Sequence, residues 1–400
     1  LYPVEVRYRP LEKDNEEDEG DINSGILSAV DELWSLGNSG DVLVFLPGER
    51  EIREAAEALR KHHPPGVEIL PLFARLSATE QDRIFKPAGA RRIVLSTNVA
   101  ETSLTVPGIR YVIDTGHARL LRYSVRNKVD MLQVENISQA AAKQRSGRCG
   151  RVANGIAIRL YDEENFNLRE AFTPPEILRT SLAGVILKMA ALNLGDVENF
   201  PFIDAPNSRA ITDGYLLLAE LNAVDEQRNL TPLGKQLARL PIDPRVGRML
   251  LAAQEFQCLT EMLIITAALS VQDPKERPQD KQDAANRAHE KFADEKSDFS
   301  GLLKLWQFFE HALEHKKSNR KLMELCHDNF LSHFRMREWR EIHTQLHAQV
   351  IEMGLRLSDK PATYEQIHRA LLAGLLGNIG CRDLEGDTYQ GAREIKFVVS

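Results

Sequence analysis

Asp41-Val-Leu-Val-Phe-Leu46, stopped by Pro47-Gly48 and followed by the helical stretch Glu49–His62, decides the reading of the first half of the chain. An apolar run without alternation fits a strand covered on both faces, and such a strand needs helices on either side. The same pattern repeats outward. Short β-branched runs stand at Val67–Leu72, Arg92–Ser96, Ile109–Asp114, Val129–Val134 and Ile156–Tyr161, and Val4, Val6 and Tyr8 alternate as a short first strand. Helical stretches between strands indicate parallel crossovers, so residues 25–162 are expected to form a doubly wound α/β domain. In such sheets ligands sit at the carboxyl ends of the strands.

After residue 163 the strand signal fades. Pro174–Leu194 predicts one helix entered through a Pro-Pro step, with Ile177, Leu178, Leu182, Val185, Ile186 and Met189 at helical spacing. Asp213–Leu221 predicts another, followed by a polar turn and Leu230-Thr-Pro-Leu-Gly234. Two or three helices with a small hairpin point to a winged helix. From Pro241 to about Leu376 the chain reads as helix, broken at Asp273–Pro278 and near Ser358–Pro361. Gly380–Ser400 turns Gly-rich and then to strand at Ile395–Val399, as if a further β domain began there and were cut off.

Composition narrows the function classes. The 400 residues are 43% hydrophobic and 27% charged, enough for several packed cores. Leu263–Leu269, the longest near-apolar run, is far shorter than the roughly 20 residues a bilayer requires, so no membrane partner is expected. The chain starts with Leu1 and shows no apolar leader, which reads as a piece of a longer, soluble, cytoplasmic protein. A net charge of −7 argues against a generally basic coat but not against a local basic site. The seven acids within Glu12–Asp21 read as a solvated loop. Cys149, Cys258, Cys326 and Cys381 are far apart and read as free thiols. His311/His315 and His343/His347 are i, i+4 pairs with no evident third ligand and read as surface histidines, so no metal site is expected. Trp306, Phe308 and Phe309 read as core.

The chemistry lies in Ser138-Gln-Ala-Ala-Ala-Lys-Gln-Arg-Ser-Gly-Arg-Cys-Gly-Arg151. Ser138 is a plausible N-cap and the alanines favour helix. Gln144, Arg148 and Arg151 then fall on one face, flanked by Gly147 and Gly150, which would let another surface approach. Two guanidiniums and an amide there suit a polyphosphate, the arginines neutralising transition-state charge and the amide orienting a water. The plainer alternative is a salt-bridged surface helix.

Q-R-S-G-R-C-G-R resembles the sixth motif of superfamily 2 helicases, usually Q-R-x-G-R-x-G-R. Ser96-Thr-Asn-Val-Ala-Glu-Thr-Ser-Leu-Thr105 with Tyr111-Val-Ile-Asp-Thr-Gly116 is similar to the fifth motif of the DEAH-box branch. Leu72-Phe-Ala-Arg-Leu76 with Gln81-Asp-Arg-Ile-Phe85 resembles its motif IVa, and Val42–Gly48 its motif IV. Leu230–Gly234, Leu240-Pro-Ile-Asp-Pro-Arg245 and Leu269-Ser-Val-Gln-Asp-Pro274 resemble its winged-helix and ratchet segments. The resemblance covers essentially the whole chain and is nearest to bacterial RNA helicases of the HrpA type. It implies a second RecA-like domain over 1–162, a winged helix over 163–237, a helical ratchet bundle over 238–376, and the truncated start of an OB-fold over 377–400.

The resemblance also implies roles. Arg148 and Arg151 would be arginine fingers, with Gln144 near the γ-phosphate and attacking water. Phe85 would stack on adenine (core being the alternative), Thr102 and Ser103 would face the nucleotide, and Asp114 would lie near the ribose. Thr97, Asn98 and Arg75 would contact RNA backbone. Ala118–Glu135 would be the hairpin at the RNA channel, with Arg119, Arg122, Arg126 and Lys128 set against Asp130 and Glu135. A basic hairpin carrying Tyr123 also suits single-strand tracking. ATP with Mg²⁺ would be the cofactor, and RNA, free or within a ribosome or ribonucleoprotein, the partner. G-x-x-x-x-G-K-[ST] and D-E-x-H do not occur, so the phosphate cradle and Mg²⁺ acid are expected outside this chain, which alone should be inactive. Competing readings are a DNA-translocating helicase and a non-catalytic RNA-binding fragment.

Overall fold

The computed structural model describes residues 2–11, 21–37, 40–62, 66–74, 76, 78–86, 89–102, 104–124, 129–278, 281–315, 318–382, 388–391 and 396–398. Most of the acidic run Glu12–Asp21 lies outside them. The chain divides into two compact units, Leu1–Arg122 with Asp130–Arg179, and Tyr123–Val129 with Thr180–Ser400.

The sheet unit runs β1 (Val4–Tyr8), α1 (Ile22–Ser35), β2 (Asp41–Phe45), α2 (Glu49–His62), β3 (Val67–Leu72), α3 (Ala78–Phe85), β4 (Arg91–Ser96), α4 (Val99–Thr102), β5 (Ile109–Asp114), β6 (His117–Ser124), β7 (Val129–Asn136), α5 (Gln139–Gly147), β8 (Gly155–Arg159) and α6 (Glu163–Leu168). Six strands pair in parallel in the order β1-β8-β5-β2-β4-β3. Alternate residues of one strand point to opposite faces, and both faces here are covered. Val42 and Val44 join Ile93, Leu95 and Ile113 under Ile26 and Leu33 of α1 and Ile52 and Leu59 of α2. Leu43 and Phe45 join Val94 and Val112 on the other face, with Ile84 of α3, Ala100 of α4 and Cys149. That is why these strands carry no polar alternation.

Val129–Val134 departs from the expectation. It belongs to β7, which pairs with β6 in a separate two-stranded sheet and leaves Leu132 and Val134 exposed. Phe166 of α6 packs with Tyr8 and Tyr161, so the chain stays with the sheet unit beyond residue 162.

The helical unit contains α7 (Ala183–Ala191), α8 (Ser208–Glu220), α9 (Pro232–Arg239), α10 (Pro244–Glu255), α11 (Leu259–Leu269), α12 (Gln282–Glu290), α13 (Asp298–His315), α14 (Asn319–Asp328), α15 (His333–Glu352) and α16 (Tyr364–Leu372). The single helix expected over Pro174–Leu194 is broken. A 3₁₀ turn at Glu176–Leu178 precedes α7, and the Ser181 hydroxyl accepts from the Ala183 amide, a local bond that competes with helix continuation. Thr231 caps α9 with Pro232 at its first turn, and Asp243 caps α10 with Pro244. Val224 and Leu230 bridge antiparallel, and Gly234 lets α9 lie against the Ala223 carbonyl where a Cβ would collide. This is the winged-helix arrangement the resemblance implied. Trp306, Phe309 and Trp339 are buried, and the Trp339 indole donates to the Ile264 carbonyl at 2.9 Å. The last strands, β9 (Gly380–Arg382), β10 (Thr388–Gly391) and β11 (Lys396–Val398), form a small antiparallel sheet. Among the described residues no helix is long and apolar enough to cross a membrane.

Candidate functional site

The finger sequence begins as expected and ends differently. Ser138 accepts from the Ala141 amide and starts α5. The helix stops at Gly147, where Arg148 keeps helical dihedrals, and the Arg148, Cys149 and Gly150 amides bond three residues back. Gln144 and Arg151 are exposed, but Arg148 is 8% exposed, so the three do not form one bare face. The buried stripe is Ala141, Ala142, Arg145, Ser146, Arg148 and Cys149, the side marked by the small residues. Gly150 serves the chain's own β1, since a Cβ there would meet the Tyr2 carbonyl at 2.7 Å, whereas Gly147 faces open space. Burial pushes the Cys149 thiol up to about 12, so it is an inert packing group.

Arg148 donates to the carbonyls of Glu101 and Leu104, and Arg151 donates to the Thr105 hydroxyl at 2.6 Å. Both guanidiniums thus hold the segment joining α4 to β5. Among the described residues neither has an ion-pair partner. Burial, and then the nearby Arg151 charge, lower the Arg148 pKa from its ordinary value. Two like charges that close favour an anion between them.

Arg145, which sequence reasoning placed on another face and gave no role, is fully enclosed. It donates to Glu101 Oε2 at 3.0 Å, Asp114 Oδ1 at 2.7 Å and the His117 carbonyl at 3.2 Å, with Phe45 beneath it at 4.8 Å. Burial opposes its charge, but the two carboxylates outweigh that and raise its pKa. Asp114 also accepts from the Gly116 amide at 2.9 Å and the Tyr161 hydroxyl at 3.1 Å. The expected ribose contact is therefore corrected: Asp114 is 0% exposed and its carboxylate is committed inside the unit. The signal that would have found Arg145 is its i+4 spacing from Ala141 on the alanine stripe.

The remaining candidates split into two places. Arg92, buried at the start of β4, is held by Asp41 at 2.6 Å and donates to the carbonyls of Ile84, Lys86 and Pro107. It thereby ties the end of α3 to the segment before β5. Phe85 and the Thr105–Arg151 contact accordingly lie toward the amino ends of β4 and β5, not at the carboxyl edge the fold rule predicted. Phe85 is 41% exposed, which overturns the core alternative. Thr97 and exposed Asn98 do follow the carboxyl end of β4 and lead into α4, which ends at exposed Thr102.

The described hairpin arginines both form ion pairs. Arg122 is closed on Glu135 through two bonds of 2.7 Å, and Arg119 pairs with Glu51 at 3.3 Å. Hydrogen bonding to Arg122 holds the Glu135 carboxyl below its ordinary value. Both arginines are thus engaged with carboxylates, not presented as free cations. Arg75, Ser103, Arg126 and Lys128 lie outside the described residues.

The histidine pairs differ from each other. His311 and His315 are exposed and come within 4.8 Å of the Glu314 carboxylate, a third ligand that was not evident from the sequence. Nothing else on that surface points to an ion. His343 is no surface residue; it packs on Trp306 at 4.7 Å between ring centres.

Comparison with known proteins completes the description. Residues 25–153 match the helicase conserved C-terminal domain. Residues 215–242 match the winged-helix part, and residues 243–304 the ratchet-like part, of the helicase-associated domain. The chain is 55% identical over 405 residues to the ATP-dependent RNA helicase HrpA homolog of Haemophilus influenzae, and 53% over 403 residues to the ATP-dependent RNA helicase HrpA of Escherichia coli. Each alignment takes in 100% of this chain and 31% of the relative, so the chain spans about a third of the length of these curated relatives. The crystal structure of the E. coli DExH-box NTPase HrpB is similar at a TM-score of 0.74 and 26% identity, covering 100% of this chain and 42% of that one.

Proposed function

The chain belongs to the HrpA-type DEAH-box helicases, and from that premise we propose that it supplies the phosphate-sensing and RNA-facing half of an ATP-driven RNA helicase. The observation that carries the reading is the pair Arg148 and Arg151, two close guanidiniums with no ion-pair partner among the described residues, both on the 101–105 segment. On closure over ATP bound elsewhere in the whole protein, the arginines turn from these neutral acceptors to the γ-phosphate. There they neutralise the charge that develops in transfer. Exposed Gln144 orients the attacking water, exposed Phe85 offers a face to adenine, and Thr102 is assigned to the nucleotide, as is Ser103 by resemblance alone.

Because Arg148 and Arg151 grip the segment that begins at Thr97 and Asn98, their release moves the loop that touches RNA backbone. Small hydroxyl and amide side chains there bond phosphate without reading bases. Arg75, Arg126 and Lys128 are assigned to RNA by resemblance alone. Arg119 and Arg122 carry the same assignment, each beside a part-exposed carboxylate that it would leave for a phosphate.

Glu101 and Asp114, the carboxylates beside the arginines, both serve Arg145 and are not free for Mg²⁺, and the ion that accompanies ATP is assigned to residues outside the chain. The domain limits at 237 and 376, the OB-fold over 377–400, a cytoplasmic location and a ribosome or ribonucleoprotein partner belong to the same proposal. The test is ATP hydrolysis by the whole protein with single-stranded RNA or DNA of one sequence. Stimulation by RNA supports the reading, and equal stimulation by DNA replaces it with a DNA translocase. The 400-residue chain alone should show no turnover.

A further inference from the structure

The proposed chemistry uses Arg148 and Arg151 and leaves Arg145 without a task, yet Arg145 is fully buried and held by two carboxylates. Its Nε meets Glu101 and its Nη1 meets Asp114 and the His117 carbonyl. Glu101 is shared between two arginines. Its carboxylate receives Arg145, and its carbonyl receives Arg148, three residues further along the same stretch.

Glu101 sits in α4, a helix of only four residues. One turn cannot hold its own shape, because a nucleus that short is unfavourable without outside contacts. Ala100 anchors α4 from below within the apolar layer. The direction of the Glu101 carbonyl therefore depends on what grips its side chain, and the grip is Arg145. Asp114, itself held by the Gly116 amide and the Tyr161 hydroxyl, fixes the far side of that guanidinium.

We infer that Arg145 is a positioning residue for Arg148, acting through Glu101. The inference rests on the reading of Arg148 as a phosphate-facing group. Arginine is needed because the acceptors lie in different directions around one plane, and lysine brings the charge without that fork. A merely structural salt bridge would matter to stability alone. A positioning residue makes turnover depend on Arg148 and Arg145 together.

The experiment is a double-substitution cycle in the whole ATPase, with Arg145→Lys, Arg148→Lys and the pair, read as kcat and KM for ATP under RNA saturation. Arg145→Lys should lower kcat by about 10-fold or more with KM changed by less than about threefold, and the pair should be no slower than Arg148→Lys alone. Losses that multiply, or a wild-type kcat for Arg145→Lys, overturn the inference while leaving Arg148 its role. A wild-type rate for Arg148→Lys overturns the phosphate reading itself, and the inference with it. Glu101→Gln, which keeps an acceptor for Arg145 but removes the charge, runs the same cycle if Arg145→Lys does not fold. It should give the same non-additivity, and multiplying losses again count against the inference.

Discussion

Arg145 in the sheet unit is fully buried and His343 in the helical unit partly so, the first with its charge and the second without it. Two carboxylates and a backbone carbonyl surround Arg145, so its cationic form is strengthened in spite of burial. His343 packs against Trp306, and burial, followed by His347 and Arg340, lowers its pKa to about 4. Neutralising a group is the ordinary route into a core, since burying a charge unpaired is expensive. Retaining the charge beside Arg148 and Arg151 indicates a region organised around cations. Among the described residues of the helical unit no buried arginine is paired with two carboxylates.

The sharpest break in this contrast is kinetic. Arg151→Ala in the whole ATPase should lower hydrolysis by about 10³-fold or more, the scale of an arginine finger. Stability should stay near wild type, because the side chain is exposed and bonds one hydroxyl. Arg148→Ala should cost similar activity and also about 1–3 kcal/mol of stability, since two carbonyls lose a buried donor. Activity assays beside denaturant unfolding check both, and a silent Arg151→Ala removes the finger assignment.

Asp114→Asn addresses the retained charge. It leaves Arg145 with one carboxylate in a site sealed from water, and breaking a buried pair of this kind costs about 3 kcal/mol. Urea unfolding of the chain measures it. A loss below about 1 kcal/mol would mean that the Arg145 network adjusts freely, and the contrast with His343 would weaken.

The smallest effect concerns His343. Its folded pKa lies below the unfolded value, so the unfolded chain binds more protons between about pH 6.5 and 4. Its stabilising contribution is complete above that window and lost as pH falls through it. By pH 5 the helical unit should lose about 2 kcal/mol relative to neutral pH. His343→Gln should flatten that slope in thermal melts.

Much of this fold was legible in the sequence. β3 and β5 coincide with the stretches read from β-branched runs, and α2 with the helical stretch read after Pro47-Gly48. Ser138 announced α5 correctly. The break after Leu178 was missed because helical spacing continues through a Pro-Pro step and a Ser-centred turn that stop the backbone. At the site, the motif identified the arginines but not their surroundings. Arg148 was assigned to an open face, although Arg145 and the small residues one turn earlier mark its side as buried. Glu101 and Asp114 are acids far along the chain from Arg145, and no local period reveals a pairing made by the fold. Arg122 was set against Asp130 and Glu135 in the charge count, but which acid meets it is decided only by the pairing of β6 with β7.

The strand order carries a consequence for synthesis. β1, the earliest strand of this sheet in chain order, has a single neighbour in it, β8, with Val4 opposite Gly155 and Tyr8 opposite Arg159. Every other strand of the unit is therefore translated before β1 finds its place. Loop-closure entropy makes such a pairing slow compared with the local β–α–β steps between. As the chain leaves the ribosome, β2 to β5 can assemble around the Val42–Phe45 layer, while Val4–Tyr8 waits unpaired. The completion of β8 then fastens the beginning of the unit to its end, and the turn at Gly150 lies beside the Tyr2 carbonyl at that seam. A ribosome pausing before residue 155 would hold a sheet whose edge is still open.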